Sequence, residues 1–347
     1  MSEKTSIEWC DSTWNPWEGC QKVGPGCDHC YAEARNTRFG GGKPVNWGPG
    51  APRRRTSPAN WRKPLAWNAA HDEFFAAHGR RQRVFCASLA DVFDNAVDPA
   101  WRRDLFDLIV DTPNLDWLLL TKRVGNVQRM VQAATLCDFL PSNVWLGATI
   151  VNQAEADRDI PKLLATPARV RFLSMEPLLG PVDLRFHIFS EPTGNWRTHE
   201  GKRQFECRRP DDGGLHWVIV GGESGPGARP MHPNWARDLR GQCADAGVPF
   251  LFKQWGEWHT DAFLMSSGEP VFRQFDSFQQ WVNKASTWVN GGICLDRHGD
   301  ELRNGGDFMR ARDAGNFPVT VMHRTGKRAA GRLLDGRTHD EFPGSTM

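Results

Sequence analysis

Residues 116–123 read DWLLLTKR, an unbroken apolar run that ends abruptly in Thr121, Lys122 and Arg123. A strand with one wet face alternates polar and apolar residues, whereas a strand buried on both faces does not. The run therefore predicts a strand inside a parallel sheet. Five others share its form: VFCASL (84–89), VWLGAT (144–149), VRFLSM (170–175), HWVIVG (216–221) and PFLFKQ (249–254). Helical stretches separate several of them. DPAWRRDLFDLIVDTP (98–113) opens on Asp-Pro and closes at a proline, and HPNWARDLRGQCADAG (232–247) ends at a glycine. NQAEADRDIPKLLATP (152–167) has an Asn cap, but its internal Pro161 predicts two short pieces. Strand, helix, strand in this rhythm means βαβ units with right-handed crossovers. IEWCDSTW (7–14) offers one more strand ahead of them.

Polar residues crowd the ends of these runs. Ser88 and Asp91 follow the first and Lys122 and Arg123 the second; Thr149 closes VWLGAT, and Glu176 follows VRFLSM. Gly221, Gly222 and Glu223 end HWVIVGGE, while Lys253 and Gln254 close PFLFKQ. Parallel barrels build their sites from the C-terminal ends of several strands. The expected fold is thus α/β: a partial (β/α) TIM-like barrel over residues 1–255, with a small α+β extension over 256–347. In the extension, GGICLDRHGDELRNGGD predicts a hairpin around His298–Gly299 and VTVMHR another strand. The polar segment from about 185 to 214 has neither period and reads as a long insertion.

Hydrophobic residues at 39% and charged residues at 24% exclude a disordered or fibrous chain. No run approaches 18 apolar residues and MSEKTSIEW has no signal-peptide core, so the expectation is a cytoplasmic protein without a membrane partner. Nine cysteines in such a chain argue against a disulfide framework.

Three of the nine, Cys20, Cys27 and Cys30, lie in GCQKVGPGCDHCYAEA with the spacing C-x6-C-x2-C, tight enough for their thiolates to converge on one point. Structural zinc would want a fourth ligand; His29 is awkwardly placed between two cysteines, and no second CxxC exists. A redox CxxC would leave Cys20 without a purpose. An iron–sulfur cluster on three cysteines would keep one iron open, as catalysis requires; the rival readings are a zinc-stabilised nucleic-acid-binding protein without catalysis and a lyase that uses the open iron as a Lewis acid without a radical.

A three-cysteine loop after the first strand of a (β/α) barrel resembles the radical S-adenosylmethionine superfamily. IEWCDSTWNPWEGCQKVGPGCDHCYAE, GGESGPGARPMHPNW, FKQWGEW and GKRAAGRLLDG resemble, more closely, a phage-associated family of three-Cys-motif, radical-SAM-like proteins over nearly the whole chain. The resemblance implies a [4Fe–4S] cluster on Cys20, Cys27 and Cys30, with S-adenosylmethionine as cofactor. It also implies an electron-donor protein such as a flavodoxin or ferredoxin. The first gap of six residues, with Gly24, Pro25 and Gly26, departs from the superfamily's three, and His29 stands where an aromatic residue is usual. Gly-Gly-Glu at 221–223 matches a cofactor-holding segment superficially, since it follows a late strand.

By position, Ser88, Asp91, Glu176, Gly221, Gly222 and Glu223 are the candidate cofactor-binding residues, with Glu223 and Lys122 as the catalytic candidates. Glu223 either looks into the barrel mouth or pairs with a nearby arginine such as Arg229. Between Tyr31 and Arg83 eleven basic residues face three acidic ones, a local +8 on a chain of net +2. Trp47, Trp61 and Trp67 are interleaved there, the ingredients of phosphate contact and base stacking. Arg53, Arg54, Arg55, Arg123, Lys253 and Gln254 are therefore the candidate substrate-binding residues, for a nucleic acid or nucleotide. TGKR (325–328) lacks the first glycine and the Ser/Thr of a phosphate loop, while GGESGPG has the composition to cradle an anion.

Overall fold

All six apolar runs form strands of one sheet. The computed structural model describes residues 5, 7–188, 190–199, 202–208, 214–260, 274–284 and 292–344. The strands are β1 (Ser12–Thr13), β2 (Gln82–Cys86), β3 (Leu115–Thr121), β4 (Val144–Thr149), β5 (Val170–Met175), β6 (Trp217–Gly221) and β7 (Phe250–Gln254). They lie side by side in chain order and every neighbouring pair is parallel. An order without reversal, joined by right-handed crossovers, puts the helices on one face and curls the sheet as in a barrel. The sheet is a curled half-barrel flanked by helices, the expected fold class.

The two faces are chemically distinct because side chains alternate along each strand. On the outer face Val84, Leu119, Leu146, Leu173, Val220 and Phe252 pack with helix residues such as Leu105, Ile109, Ile160 and Leu239. The inner, concave face carries Phe85, Leu118, Trp145, Phe172, Trp217 and Leu251, with Trp9 laid across its base 4.5 Å from the Phe85 ring. Gly147 belongs to this face: it pairs with Phe172 across the strands, and a Cβ there would meet the Phe172 ring at 2.3 Å.

Five helices bear on the half-barrel and its site: α1 (Tyr31–Phe39), α2 (Pro99–Asp111), α3 (Val127–Thr135), α4 (Gln153–Ala165) and α5 (Pro233–Ala246); three shorter ones, Pro58–Trp61, Lys63–Ala69 and His71–His78, lie between β1 and β2 in the chain. Asp98 caps α2 ahead of Pro99, and Asn152 accepts from the Glu155 amide at the start of α4. The break expected at Pro161 does not occur; α4 is one helix. Ile160 and Leu163, both fully buried against the sheet, hold it together across the missing hydrogen bond.

The expected long insertion contains an antiparallel hairpin, Ser190–His199 with Lys202–Arg208. Beyond β7 a small antiparallel sheet forms around Val319–Arg324, flanked by Trp258–His259, Gln274–Phe275 and Ile293–Leu295. The hairpin expected at His298 closes as a single bridge between Leu295 and Glu301, followed by a helix, Gly305–Asp313, capped by Asn304. The chain then returns to the half-barrel. The Phe252 amide donates to the His339 carbonyl (2.9 Å) and the Glu341 amide to that of Phe250 (3.3 Å). The tail thereby covers the edge of β7 that an unclosed barrel leaves open.

Candidate functional site

A cavity of about 600 Å³ opens at the C-terminal mouth of the inner face. Cys20, Cys27 and Cys30 line it, together with Ser88, Asp91, Lys122, Arg123, Glu176, Gly222, Glu223, Lys253 and Gln254. The strand-end rule thus gathers these residues from five strands and the cysteine loop into one place.

The cysteine loop is pinned from two sides by arginines. Arg123, 9% exposed, donates from Nη1 to Cys20 Sγ (3.5 Å) and from Nη2 to the Gln21 carbonyl (2.9 Å). Asp91 holds that guanidinium at 3.1 Å and also accepts from the Thr121 hydroxyl and the amides of Phe93 and Lys122. Opposite, Arg229 donates to Asp28 (3.0 Å) and to the Pro25 carbonyl (2.8 Å), and grips Glu223 with two further N–H groups (2.9 and 2.7 Å). Glu223 also accepts the Arg229 amide (2.8 Å) and lies 3.0 Å from His29 Nδ1.

Glu223 therefore lines the cavity as a carboxylate already paired with Arg229, not as a free one. Burial alone would raise its pKa; the Arg229 guanidinium and amide, with His29, hold it below the ordinary carboxylate value. Asp91 is likewise saturated by its four donors, so neither acid is free to hold a ligand amine. Glu176 is less committed: it pairs with Lys253 (2.5 Å) and lies 3.4 Å from the Ser174 hydroxyl. Lys253 reaches it through a β-bulge. Val220 pairs with Phe252 but Gly221 with Gln254, which leaves Lys253 as the extra residue. Lys122 approaches Thr149 Oγ1 (3.4 Å) and has no carboxylate partner among the described residues.

Gly221, the last residue of β6, and Gly222 after it serve packing rather than ligand approach. A Cβ on Gly221 would crowd Glu176 at 3.2 Å, and one on Gly222 would strike the Trp255 carbonyl oxygen at 1.9 Å. The anion cradle expected in GGESGPG is already filled from within: the Gly225 amide donates to Glu257 Oε1 and the Arg229 amide to Glu223. In TGKR the amides of Thr325 and Gly326 both donate to the Glu257 carbonyl, while Lys327 lines the cavity.

The arginine triplet lies outside the cavity lining. Arg53 is a buried ion-pair partner of Asp94 at 2.7 Å, each side chain 1% exposed, and is no surface cation. Arg54 pairs with Glu18, and Arg55 pairs with Asp104 (2.6 Å) while stacking on Trp61. Trp61 and Trp67 pack against the core and are no free stacking platforms, whereas Trp47, largely buried beside Cys20 and Cys30, lines the cavity. Charge counting missed these pairings because each partner lies elsewhere in the sequence.

The three thiols are free and share the cavity wall, Cys27 buried and the others half-buried. Their sulfurs do not share one point at the bonding distance of a single ion. Among the described residues, no group of three or more His, Cys, Asp or Glu is arranged to hold a metal ion. A zinc ion, bound at about 2.3 Å to each sulfur, needs such a point. A polynuclear cluster offers each thiolate its own metal atom, and three soft thiols around a roomy cavity fit that demand better. Burial pushes the Cys20 thiol up to about 11, with Asp91 adding to this and Arg123 opposing it, so binding a metal there releases a proton.

The family described as "Protein of unknown function (DUF5131)" matches residues 4–343. The chain belongs to this family. No curated protein and no solved structure matches the chain. For this DUF5131 member, then, the cavity itself is the guide to chemistry. Arg229 is the residue whose importance sequence reasoning underrated: its place six positions after Glu223 was the available signal. Among the described residues, no helix is long and apolar enough to cross a membrane.

Proposed function

We propose that the protein is an iron–sulfur enzyme of the radical S-adenosylmethionine type, acting on a nucleic acid or nucleotide in the cytoplasm. The observation that carries this reading is the placement of three cysteines from one loop on the wall of a single cavity at a half-barrel's C-terminal mouth. Cys20, Cys27 and Cys30 would hold a [4Fe–4S] cluster, which supplies one electron to cleave the cofactor's sulfonium and start radical chemistry. The likeness to the phage-associated three-Cys-motif proteins belongs to the same proposal, as does an electron donor of the flavodoxin or ferredoxin kind.

The chain's own residues take the remaining tasks. Asp91 and Glu223 fix the loop through Arg123 and Arg229, which leaves Glu176 as the carboxylate to receive the cofactor's ammonium by a charge-assisted hydrogen bond. Lys122 and Lys327 line the cavity without a carboxylate partner among the described residues and suit a phosphate-bearing substrate. This support replaces the Arg53–Arg55 segment, whose charges are paired.

The test is anaerobic purification followed by iron, sulfide and zinc analysis, with EPR spectra before and after S-adenosylmethionine is added. A brown protein with iron and sulfide, and a spectrum altered by the cofactor, is expected. Replacing any of the three cysteines by Ala should remove the chromophore, whereas Cys86→Ala should keep it, since Cys86 is fully buried in the outer core. Stoichiometric zinc without iron would overturn the reading.

A further inference from the structure

We propose that Arg123 raises the reduction potential of the cluster by acting on the Cys20 sulfur, an inference that rests on the cluster reading above. Among the described residues, Cys20 is the one of the three thiols that receives a side-chain hydrogen bond, from Arg123 Nη1 at 3.5 Å. The geometry is over-determined. Nη2 is fixed by the Gln21 carbonyl at 2.9 Å, and Asp91 and Asp94 hold the guanidinium at 3.1 and 3.8 Å. At 9% exposure the charge is poorly screened by water, so its field acts on the sulfur at close range.

The sign follows from charge. Reduction adds an electron that cluster and thiolates share, and a cation donating to one of those sulfurs stabilises the reduced state more than the oxidised one. Asp91, on the same guanidinium, opposes this effect. Arg123 and Asp91 thus form a pair with opposite influences on one sulfur. A merely structural role would give both residues the same effect, namely loss of the loop's anchorage.

The experiment uses the full chain, reconstituted anaerobically, with Arg123→Met, Arg123→Lys and Asp91→Asn. Iron and sulfide per chain are measured first, then the midpoint potential by EPR-monitored redox titration. Arg123→Met should weaken reduction about tenfold, equivalent to about 59 mV for one electron. Arg123→Lys, which keeps a cation, should fall between it and the parent, and Asp91→Asn should shift the potential upward. A loaded parent with potentials unmoved in Arg123→Lys and Asp91→Asn, or shifted in the same direction by both, overturns this inference alone. A parent that binds no iron overturns the cluster reading and this inference with it.

Discussion

Replacing Arg229 by Met tests whether the cysteine loop is held by charge. The substitution preserves much of the side chain's length but deletes its bonds to Glu223, Asp28 and the Pro25 carbonyl. Glu223 is 5% exposed and Arg229 31%, so the pair is buried at one end only. Breaking a fully buried pair costs about 3–5 kcal/mol. An exposed pair is worth about 0–1 kcal/mol. The expected cost at pH 7 is intermediate, about 2–3 kcal/mol. The pH dependence fixes the mechanism. In the parent the Glu223 pKa is depressed, so its contribution is present above the unfolded-state value and lost as pH falls through the folded one. In the variant burial is opposed by fewer donors and the carboxyl rises, each unit being worth about 1.4 kcal/mol. Acidification to pH 5 should therefore narrow the gap between variant and parent. Urea unfolding followed by tryptophan fluorescence, at pH 7 and pH 5, measures this directly. Adding Glu223→Gln removes the stranded charge, so the double variant should be more stable than the sum of the single effects. A cost below about 0.5 kcal/mol at pH 7, or strictly additive effects, would refute the clamp.

Two other substitutions separate packing from charge. Arg53→Ala leaves the buried Asp94 with the longer Arg123 contact at 3.8 Å as its remaining ion pair among the described residues and should cost up to about 3–5 kcal/mol in urea unfolding. Arg54→Ala, on the surface, should change stability by less than about 0.5 kcal/mol, and neither should flatten the salt dependence of any nucleic-acid binding. Gly147→Ala drives a methyl into the Phe172 ring and should cost about 1–3 kcal/mol. Phe172→Leu, which removes the ring atoms that are struck, should recover part of that loss in a thermal unfolding comparison.

The half-barrel was legible because its strands are buried on both faces, which forces continuous apolar runs, and because a site at the strand ends forces polar residues there. Pairing was not legible. Arg53 and Asp94 lie 41 positions apart, and Arg123 and Asp91 lie 32 apart, yet each pair is in contact. A count of charges along the chain registers four free ions where the folded protein has one linked network of two cations and two carboxylates. Pro161 misled for a related reason: a proline costs one hydrogen bond locally, while the burial of Ile160 and Leu163 is a property of the assembled sheet.

The long first gap of the cysteine motif has its explanation in the same contacts. Gly24, Pro25 and Gly26 lead into a 3-10 turn, Pro25–Cys27, that wedges between the start of α4 and the Glu223 loop. A Cβ at Gly24 would meet Glu155 Oε1 at 2.6 Å, and one at Gly26 would meet Val151 at 2.7 Å. From that wedge the Pro25 carbonyl reaches Arg229, and beyond it Gly227, at φ +76°, comes so close to His29 that a Cβ would sit 2.9 Å from its Nε2. Removing three residues would withdraw the loop from these contacts with α4, Arg229 and the Gly227 turn. The added length thus gives the loop a second anchor, through Arg229, beside the one Arg123 makes at Cys20. Both ends of the cysteine motif are held by different strands of the same sheet, so the geometry of the thiols is set by the half-barrel and not by the loop alone.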